Sequence, residues 1–457
     1  MQKFDLVVVG AGSGLNVVAE AASRNLRVAL VEEGPMGGTC LNRGCIPSKM
    51  LVHHADIAET IANAKKFGFT AKIAGIDFRK IVKEVSSVVD SEAREIEEGV
   101  REDENTVLFK QRAEFVGDRI LKVGKEKIFG EKVVIAAGTR PSIPPIDGLQ
   151  GTGFLTSDEA LRLEKQPKSM IIVGGGYIAA ELAHFFGALG TKVTIVQRNR
   201  LLVPDEDEEI AAAFTKIFAK KHKVFLEHVV SRVKKRGKGF VATIEKKGGS
   251  GKKTIEAGQL LIATGRVPNT DTLKVESTGV ETTKAGFVRV NEFLETTAKN
   301  VWALGDVAGI FLFKHSANLE ASYVIYNMFN PDAKKAVDYT AMPHAVFSAP
   351  QIAGVGATEQ ELKAKGVDYA VGKHYFIKTG MGRALKDDTG FVKLLADKQT
   401  GKILGCHIMG TDASTLIHEV IVAMKAAGAR ISAITDSVHI HPALSEVVQR
   451  AFSRIEW

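Results

Sequence analysis

The sequence predicts an α/β protein built from two Rossmann-like units followed by a C-terminal α+β domain. Three observations carry that expectation. An apolar strand over Phe4–Val9 runs into the glycine turn Gly10-Ala11-Gly12-Ser13-Gly14. The same order of features returns at Met170–Val173 and Gly174-Gly175-Gly176. From about Tyr339 onward, short strand patterns surround one long apolar-faced helix over residues 414–427. Parallel strands covered on both faces read as continuous apolar runs, which is the pattern of the first two stretches.

In the first unit the helix after the glycine turn leads to a second strand, Arg27–Val31, that ends at Glu32. Gly10, Gly12 and Gly14, with Ser13 between, let the backbone approach a pyrophosphate at a helix N-terminus, and an acid about twenty residues on suits a ribose hydroxyl. Leu15 stands where a third glycine is usual, so the helix is expected to pack differently there. Amphipathic helical patterns follow over residues 57–61 and 81–100, then short strands near 112–116, 119–123 and 132–141. The second unit continues from Gly176 through Tyr177, Ile178, Ala179 and Glu181 to a strand over Lys192–Val196. Two separate fingerprints imply two bound dinucleotides.

Between these units lies Gly37-Gly38-Thr39-Cys40-Leu41-Asn42-Arg43-Gly44-Cys45-Ile46-Pro47-Ser48-Lys49. Cys40 and Cys45 are expected on one face of a helical turn. So small a loop gains little closure entropy from a bridge, and a labile bridge suits electron transfer better than stapling. The plain alternative is a pair of buried core cysteines. A metal centre is not expected, because this stretch lacks further ligands. The third cysteine, Cys406, reads as a buried strand residue. Near the C-terminus, His441-Pro442 followed by Glu446 offers a base that titrates near neutral pH and a carboxylate to orient it.

At 457 residues and 45% hydrophobic, the chain can bury several cores. Three cysteines fit a reducing, cytoplasmic setting. No apolar run approaches the ~20 residues a bilayer requires, so no membrane partner is expected. The net charge is +8, with lysines and arginines gathered between Lys234 and Lys253 among glycines. That pattern reads as a solvated hairpin and argues against nucleic acid as a partner.

The cysteine stretch, the two fingerprints and the His-Pro-x-x-x-Glu ending together resemble the flavin-dependent pyridine nucleotide-disulfide oxidoreductases of class I. Among them the signature is most similar to dihydrolipoamide dehydrogenase, with features of mycothione reductase in Gly12-Ser13-Gly14 and in the helix over 54–67. The resemblance implies FAD at the first fingerprint, held by Gly10, Gly12, Ser13, Gly14, Glu32, Gly38, Thr39, Lys49, Ala113, Gly138 and Asp306. Asp306, in Val301-Trp302-Ala303-Leu304-Gly305-Asp306, takes the place of the residue that bonds the ribityl chain. It implies a nicotinamide dinucleotide at Gly174, Gly176, Tyr177, Ile178, Ala179, Glu181, Gln197, Arg198, Arg200 and Gly265. An acid at Gln197 would select NADH; with Arg198 and Arg200 following instead, NADPH is favoured, unless those arginines are simply surface residues.

The resemblance also implies roles. Tyr177 covers the nicotinamide site, Lys49 and Glu181 form an ion pair beside the flavin, and Cys45 is the thiolate nearer the ring. Cys40 exchanges with the substrate disulfide, and His441, oriented by Glu446, moves the proton. A homodimer is implied in which the active site is shared between subunits. The expected division is 1–145 for the first part of an FAD-binding domain, 146–266 for an NAD(P)-binding domain, 267–337 for a return to the flavin, and 338–457 for an interface domain. The substrate stays open between dihydrolipoamide and the disulfide of a low-molecular-weight thiol. Glu20, where glutathione reductases place an arginine, argues against glutathione. A non-catalytic FAD and NAD(P)H sensing module is the reading from another class, and it has no need of Cys40, Cys45, His441 and Glu446 together.

Overall fold

The computed structural model describes residues 1–249 and 251–457. It divides into two compact units, 1–48 with 82–142 and 265–338, and 49–81 with 143–264 and 339–457.

The first unit is built on a seven-stranded sheet. Its elements in chain order are β1 (Gln2–Val9), α1 (Gly14–Ser23), β2 (Val28–Val31), α2 (Gly38–Arg43), the first four residues of α3 (Cys45–Asn63), α4 (Phe78–Glu102) from residue 82 on, β3 (Thr106–Phe109), β4 (Ala113–Gly117), β5 (Ile120–Val123) and β6 (Glu126–Ile135). The strand order is β3-β2-β1-β6-β5-β4, with a late strand, Val301–Ala303, returning to β6. β1 pairs parallel with β2 and β6, in the register Leu6 to Val28 and Val7 to Val133, and Val301–Ala303 is also parallel to β6. β4, β5 and β6 form an antiparallel meander. Leu6, Val7 and Val8 are completely buried, as the continuous apolar run requires. On one face α1 (Val17, Val18, Ala21) and the helix Lys314–Phe329 (Ala321, Val324, Met328) cover the sheet. Leu15 packs against this cluster, so its side chain fills the helix–sheet junction that a third glycine would leave open.

The stretch 132–141, expected as a strand and a turn, divides at residues 136–138. β6 stops at Ile135, and Thr139–Pro141 pairs antiparallel with Arg266–Pro268. Gly138, at φ +65°, makes the change of direction.

Among the described residues the second unit holds three sheets. A four-stranded parallel sheet runs in the order Lys223–Leu226, Lys192–Gln197, Ser169–Val173, Gln259–Ile262. The basic segment forms an antiparallel meander of His228–Arg236, Gly239–Lys246 and Lys252–Ala257. A six-stranded antiparallel sheet occupies the C-terminal part, with Cys406 fully buried on its strand Ile403–Gly410. Helix Ala413–Lys425 packs Ile417, Val420 and Ala423 against this sheet, and helix Glu446–Ser453 adds Val447, Val448, Ala451 and Phe452. Burying a side chain such as Phe452 contributes about 2–3 kcal/mol. That burial fixes the helix whose first residue is Glu446. Among the described residues no helix is long and apolar enough to cross a membrane.

Candidate functional site

Both glycine turns are shaped by the same close approach. Gly10 has φ +107°, and a Cβ on it would lie 2.3 Å from the Ala136 carbonyl oxygen; Gly174 has φ +117°, and a Cβ would lie 2.0 Å from that of Ala263. Only glycine fits either position. At Gly176, which caps helix Tyr177–Ala188, nothing lies within 4 Å of where a Cβ would be, leaving the helix N-terminus open to a phosphate.

Glu32 accepts hydrogen bonds from the Ala11 N–H at 2.8 Å and the Gly34 N–H at 2.7 Å, which set its carboxylate at the end of β2 beside the turn. Ser13 is buried, donates to Asn318 Oδ1 at 2.9 Å and accepts from Lys314 Nζ at 2.9 Å. Asp306 accepts from Thr139 Oγ1 at 2.7 Å. Arg266 in turn donates to that hydroxyl at 2.7 Å and lies 3.9 Å from the carboxylate. Burial raises the Asp306 carboxyl above its ordinary value, against the pull of Thr139 and Arg266. Ala113 is buried on β4, and Gly138 and Gly265 both take positive φ at the turns into the paired strands. A glycine turn that cannot carry a side chain, an acid at the strand end and a half-buried aspartate fit the pyrophosphate, adenosine and ribityl parts of FAD. Thr139 and Arg266 were missed in the sequence, although the chain repeats Gly-x-x-Pro at Gly138–Pro141 and Gly265–Pro268.

The cysteines do not share one helical turn. Gly38 and Thr39 open α2, which carries Cys40; Gly44, at φ −144° and ψ −118°, breaks the helix, and Cys45 begins α3. Pro47 sits in the first turn of α3, where its missing N–H costs no hydrogen bond. Leu41 anchors α2 against Val89 and Ala93 of α4, and Asn42 Nδ2 donates to the Met36 and Gly38 carbonyls at 2.7 and 2.9 Å. Cys40 and Cys45 are half-buried thiols joined by a side-chain hydrogen bond. That bond, then burial, raises the Cys40 thiol, while the charge of Lys314 opposes the rise. Burial lowers Lys314 itself, against the attraction of both cysteines. Lys314 was not singled out in the sequence, because three hundred residues of chain separate it from Ser13.

In the second unit, Lys49 donates to both oxygens of the buried Glu181 at 2.9 and 2.8 Å, and its ammonium lies 4.5 Å from the ring centre of Phe347. The Phe347 N–H donates to the same carboxylate at 3.0 Å. Ile178 and Ala179 lie with Glu181 on helix Tyr177–Ala188, Ala179 buried, and Tyr177 is exposed at its start. Where an acid would end the strand Lys192–Gln197, the buried Gln197 amide donates to the Leu201 carbonyl at 3.3 Å. Arg198 is exposed, and Arg200 pairs with Glu208.

His441 is exposed and bonds through Nδ1 to Glu446 Oε1 at 3.0 Å. The His441 hydrogen bond holds the Glu446 carboxyl below its ordinary value, over an opposing burial penalty, and Arg450 adds to the effect. With the acid ionised, the ring nitrogen that meets it, Nδ1, is the donor of that bond.

The family profile for pyridine nucleotide-disulphide oxidoreductases matches residues 4–324, and that for their dimerisation domain matches residues 342–452. Mycothione reductase of Mycobacterium tuberculosis is 38% identical, covering 99% of both chains. Mercuric reductase of Staphylococcus aureus is 34% identical over 98% of this chain and 82% of its own. Dihydrolipoyl dehydrogenase of Geobacillus stearothermophilus is 34% identical over 98% and 95%. Among solved structures, the Cu(II) complex of the HOCl-induced flavoprotein disulfide reductase RclA from Escherichia coli superposes with a TM-score of 0.88, at 30% identity over 99% of each chain.

Proposed function

We propose, from the premise that this chain belongs to the pyridine nucleotide-disulphide oxidoreductase family and is a flavoprotein disulfide oxidoreductase, that it is an NADPH-dependent reductase of a low-molecular-weight thiol disulfide. The observation that carries the nucleotide choice is the end of strand Lys192–Gln197. A neutral, buried amide stands where a ribose-binding acid would, and two arginines follow it. The ion pair of Arg200 with Glu208 is exposed on both sides, and such pairs contribute about 1 kcal/mol or less, so a 2′-phosphate can displace it.

FAD, when bound, accepts hydride from the pyridine nucleotide and passes two electrons to a disulfide. The protein's own residues do the rest. Lys49, fixed by Glu181, supplies positive charge next to the nucleotide helix. Cys40 and Cys45 take the electron pair as two thiols. His441 Nε2 takes the Cys40 proton as the resulting thiolate attacks one sulfur of the substrate disulfide, and returns that proton to the departing thiolate. Cys45 then attacks the mixed disulfide and releases the second thiol, restoring the Cys40–Cys45 bridge. Per turnover NADPH and one proton are consumed, one disulfide is reduced, and two thiols form. Lys314 favours the thiolate form of the pair through its charge.

The dimerisation domain supports a homodimer, and we infer that each active site is completed across it, in a reducing cytoplasm. The division 1–145, 146–266, 267–337 and 338–457 is offered as the functional one. Mycothione reductase-like substrates are favoured by the full-length similarity and by Glu20, which is engaged with Arg24 on α1 and offers no cation to glutathione. Dihydrolipoamide is the second reading, favoured by the relatives at 34% identity. Turnover with NADPH and NADH, each against lipoamide and a panel of small-thiol disulfides, tests the proposal. Preference for NADPH with poor lipoamide turnover supports it, and preference for NADH with fast lipoamide turnover replaces it with the second reading.

A further inference from the structure

One oxygen of Glu446 is shared. Oε1 accepts from His441 Nδ1 at 3.0 Å and also from Arg450 Nη2 at 2.9 Å, while Oε2 is buried with no hydrogen-bond partner. Arg450 lies one turn along the same helix and is anchored by a second bond, from Nη1 to the Lys378 carbonyl at 3.2 Å. Its side chain is one-third exposed, whereas that of Glu446 is 8% exposed. A catalytic pair with no competitor would give its whole carboxylate charge to the imidazole. Here a permanent cation takes half of the coordination of the one oxygen that faces His441.

We propose that Arg450 is a positioning residue for His441: it locks the ionised Glu446 in place and offsets part of the negative charge that Glu446 lends to the imidazolium. The inference rests on His441 being the proton carrier proposed above. It adds that the strength of that carrier is set by a third residue outside the dyad.

Arg450 is the cation that donates to Glu446, while Lys373 on the packed strand Tyr369–Tyr375 is bonded to Glu209. On the strand Tyr369–Tyr375, packed against the helix, His374 is buried and held below its ordinary value, first by burial and then by Arg454 and Arg450. Strand Phe391–Asp397, also packed there, has Lys393 committed to Asp207 and Glu359. Helix Ser432–Thr435 brings no titratable side chain, and on the approach to His441 the imidazole of His439 is bonded to Glu419 at 3.0 Å. Lys378 contributes its carbonyl to Arg450.

The test is the pH profile of disulfide reduction by the FAD-loaded, full-length enzyme, compared with NADPH–quinone turnover, which needs neither the thiols nor His441. Arg450→Met is expected to move the alkaline limb of disulfide turnover upward by about half a pH unit, the scale of a partly screened cation. Quinone turnover should stay within about twofold, the ordinary scatter of a surface change. Arg450→Lys should return the limb toward its original position. Should Arg450→Met fail to fold, Arg450→Gln, which keeps a donor without the charge, takes its place in the test. A limb that does not move in either neutral variant, while His441→Gln abolishes disulfide turnover, would overturn the role of Arg450 and leave the function intact. Full disulfide turnover in His441→Gln would instead overturn the function on which the inference rests.

Discussion

Glu181 holds Lys49 through both carboxylate oxygens, at 2.9 and 2.8 Å, and accepts the Phe347 N–H with one of them. Its side chain is only 5% exposed, so removing it strands three donated hydrogen bonds. Glu181→Ala is expected to cost about 2–4 kcal/mol in urea unfolding, and Glu181→Gln, which keeps an acceptor for Phe347, about half of that. A Glu181→Gln loss near zero beside a full Glu181→Ala loss would show that the carboxylate charge contributes nothing there.

A buried cation ties the strand Phe391–Asp397 to helix Glu208–Lys221 and its cap. Lys393, 2% exposed, donates to Asp207 at 2.8 Å and to Glu359 at 2.7 Å. Against a burial penalty, bonds from Lys363 and Lys393 bring Glu359 down to about 2 from an ordinary 4.5, and Lys393 likewise leaves the buried Asp207 lowered. Carboxylates held below their unfolded values stabilise the fold fully above about pH 4.5 and lose that contribution as the pH falls toward 2. Lys393→Met is predicted to flatten the stability profile across that window and to lower stability at pH 7, since it leaves Asp207 buried without its cation. Thermal unfolding from pH 3 to 7 reads both effects, and parallel profiles for the two proteins would refute the assignment.

Lys314 is expected to act on the thiols through charge, because it lies within electrostatic reach of both while bonded to Ser13. Its charge lowers Cys40, so Lys314→Met should shift the pH midpoint of iodoacetamide alkylation of the reduced protein upward by about half a unit. An unchanged midpoint would assign Lys314 to the phosphate turn alone.

The arginines after Gln197 can be tested as a pair. Arg198→Ala with Arg200→Ala should raise KM for NADPH about tenfold, the scale of lost charge-assisted phosphate contacts, and leave KM for NADH unchanged. Equal effects on both nucleotides would mean that they bind no 2′-phosphate.

How much of this was legible depended on range. The two glycine turns, Glu32 and the core strand over residues 4–9 followed from local pattern, because a turn that excludes side chains and a strand covered on both faces leave their mark on consecutive residues. The interruption at Gly44 was not legible: the spacing of Cys40 and Cys45 suits a continuous helix, and only the backbone angles show that α2 ends before α3 begins. Thr139, Arg266 and Lys314 were hidden for another reason, since their partners come from segments more than a hundred residues away. Arg450 lies one turn from Glu446, yet its donation to the shared oxygen required coordinates.

The central claim is that electrons from NADPH reach Cys40 and Cys45, and the chain's three cysteines make it countable. The measurement is the number of reactive thiols in the protein denatured before and after anaerobic reduction with one equivalent of NADPH. The account predicts one thiol before, from Cys406, and three after, with no such gain in Cys45→Ser. A count that NADPH leaves unchanged would contradict it.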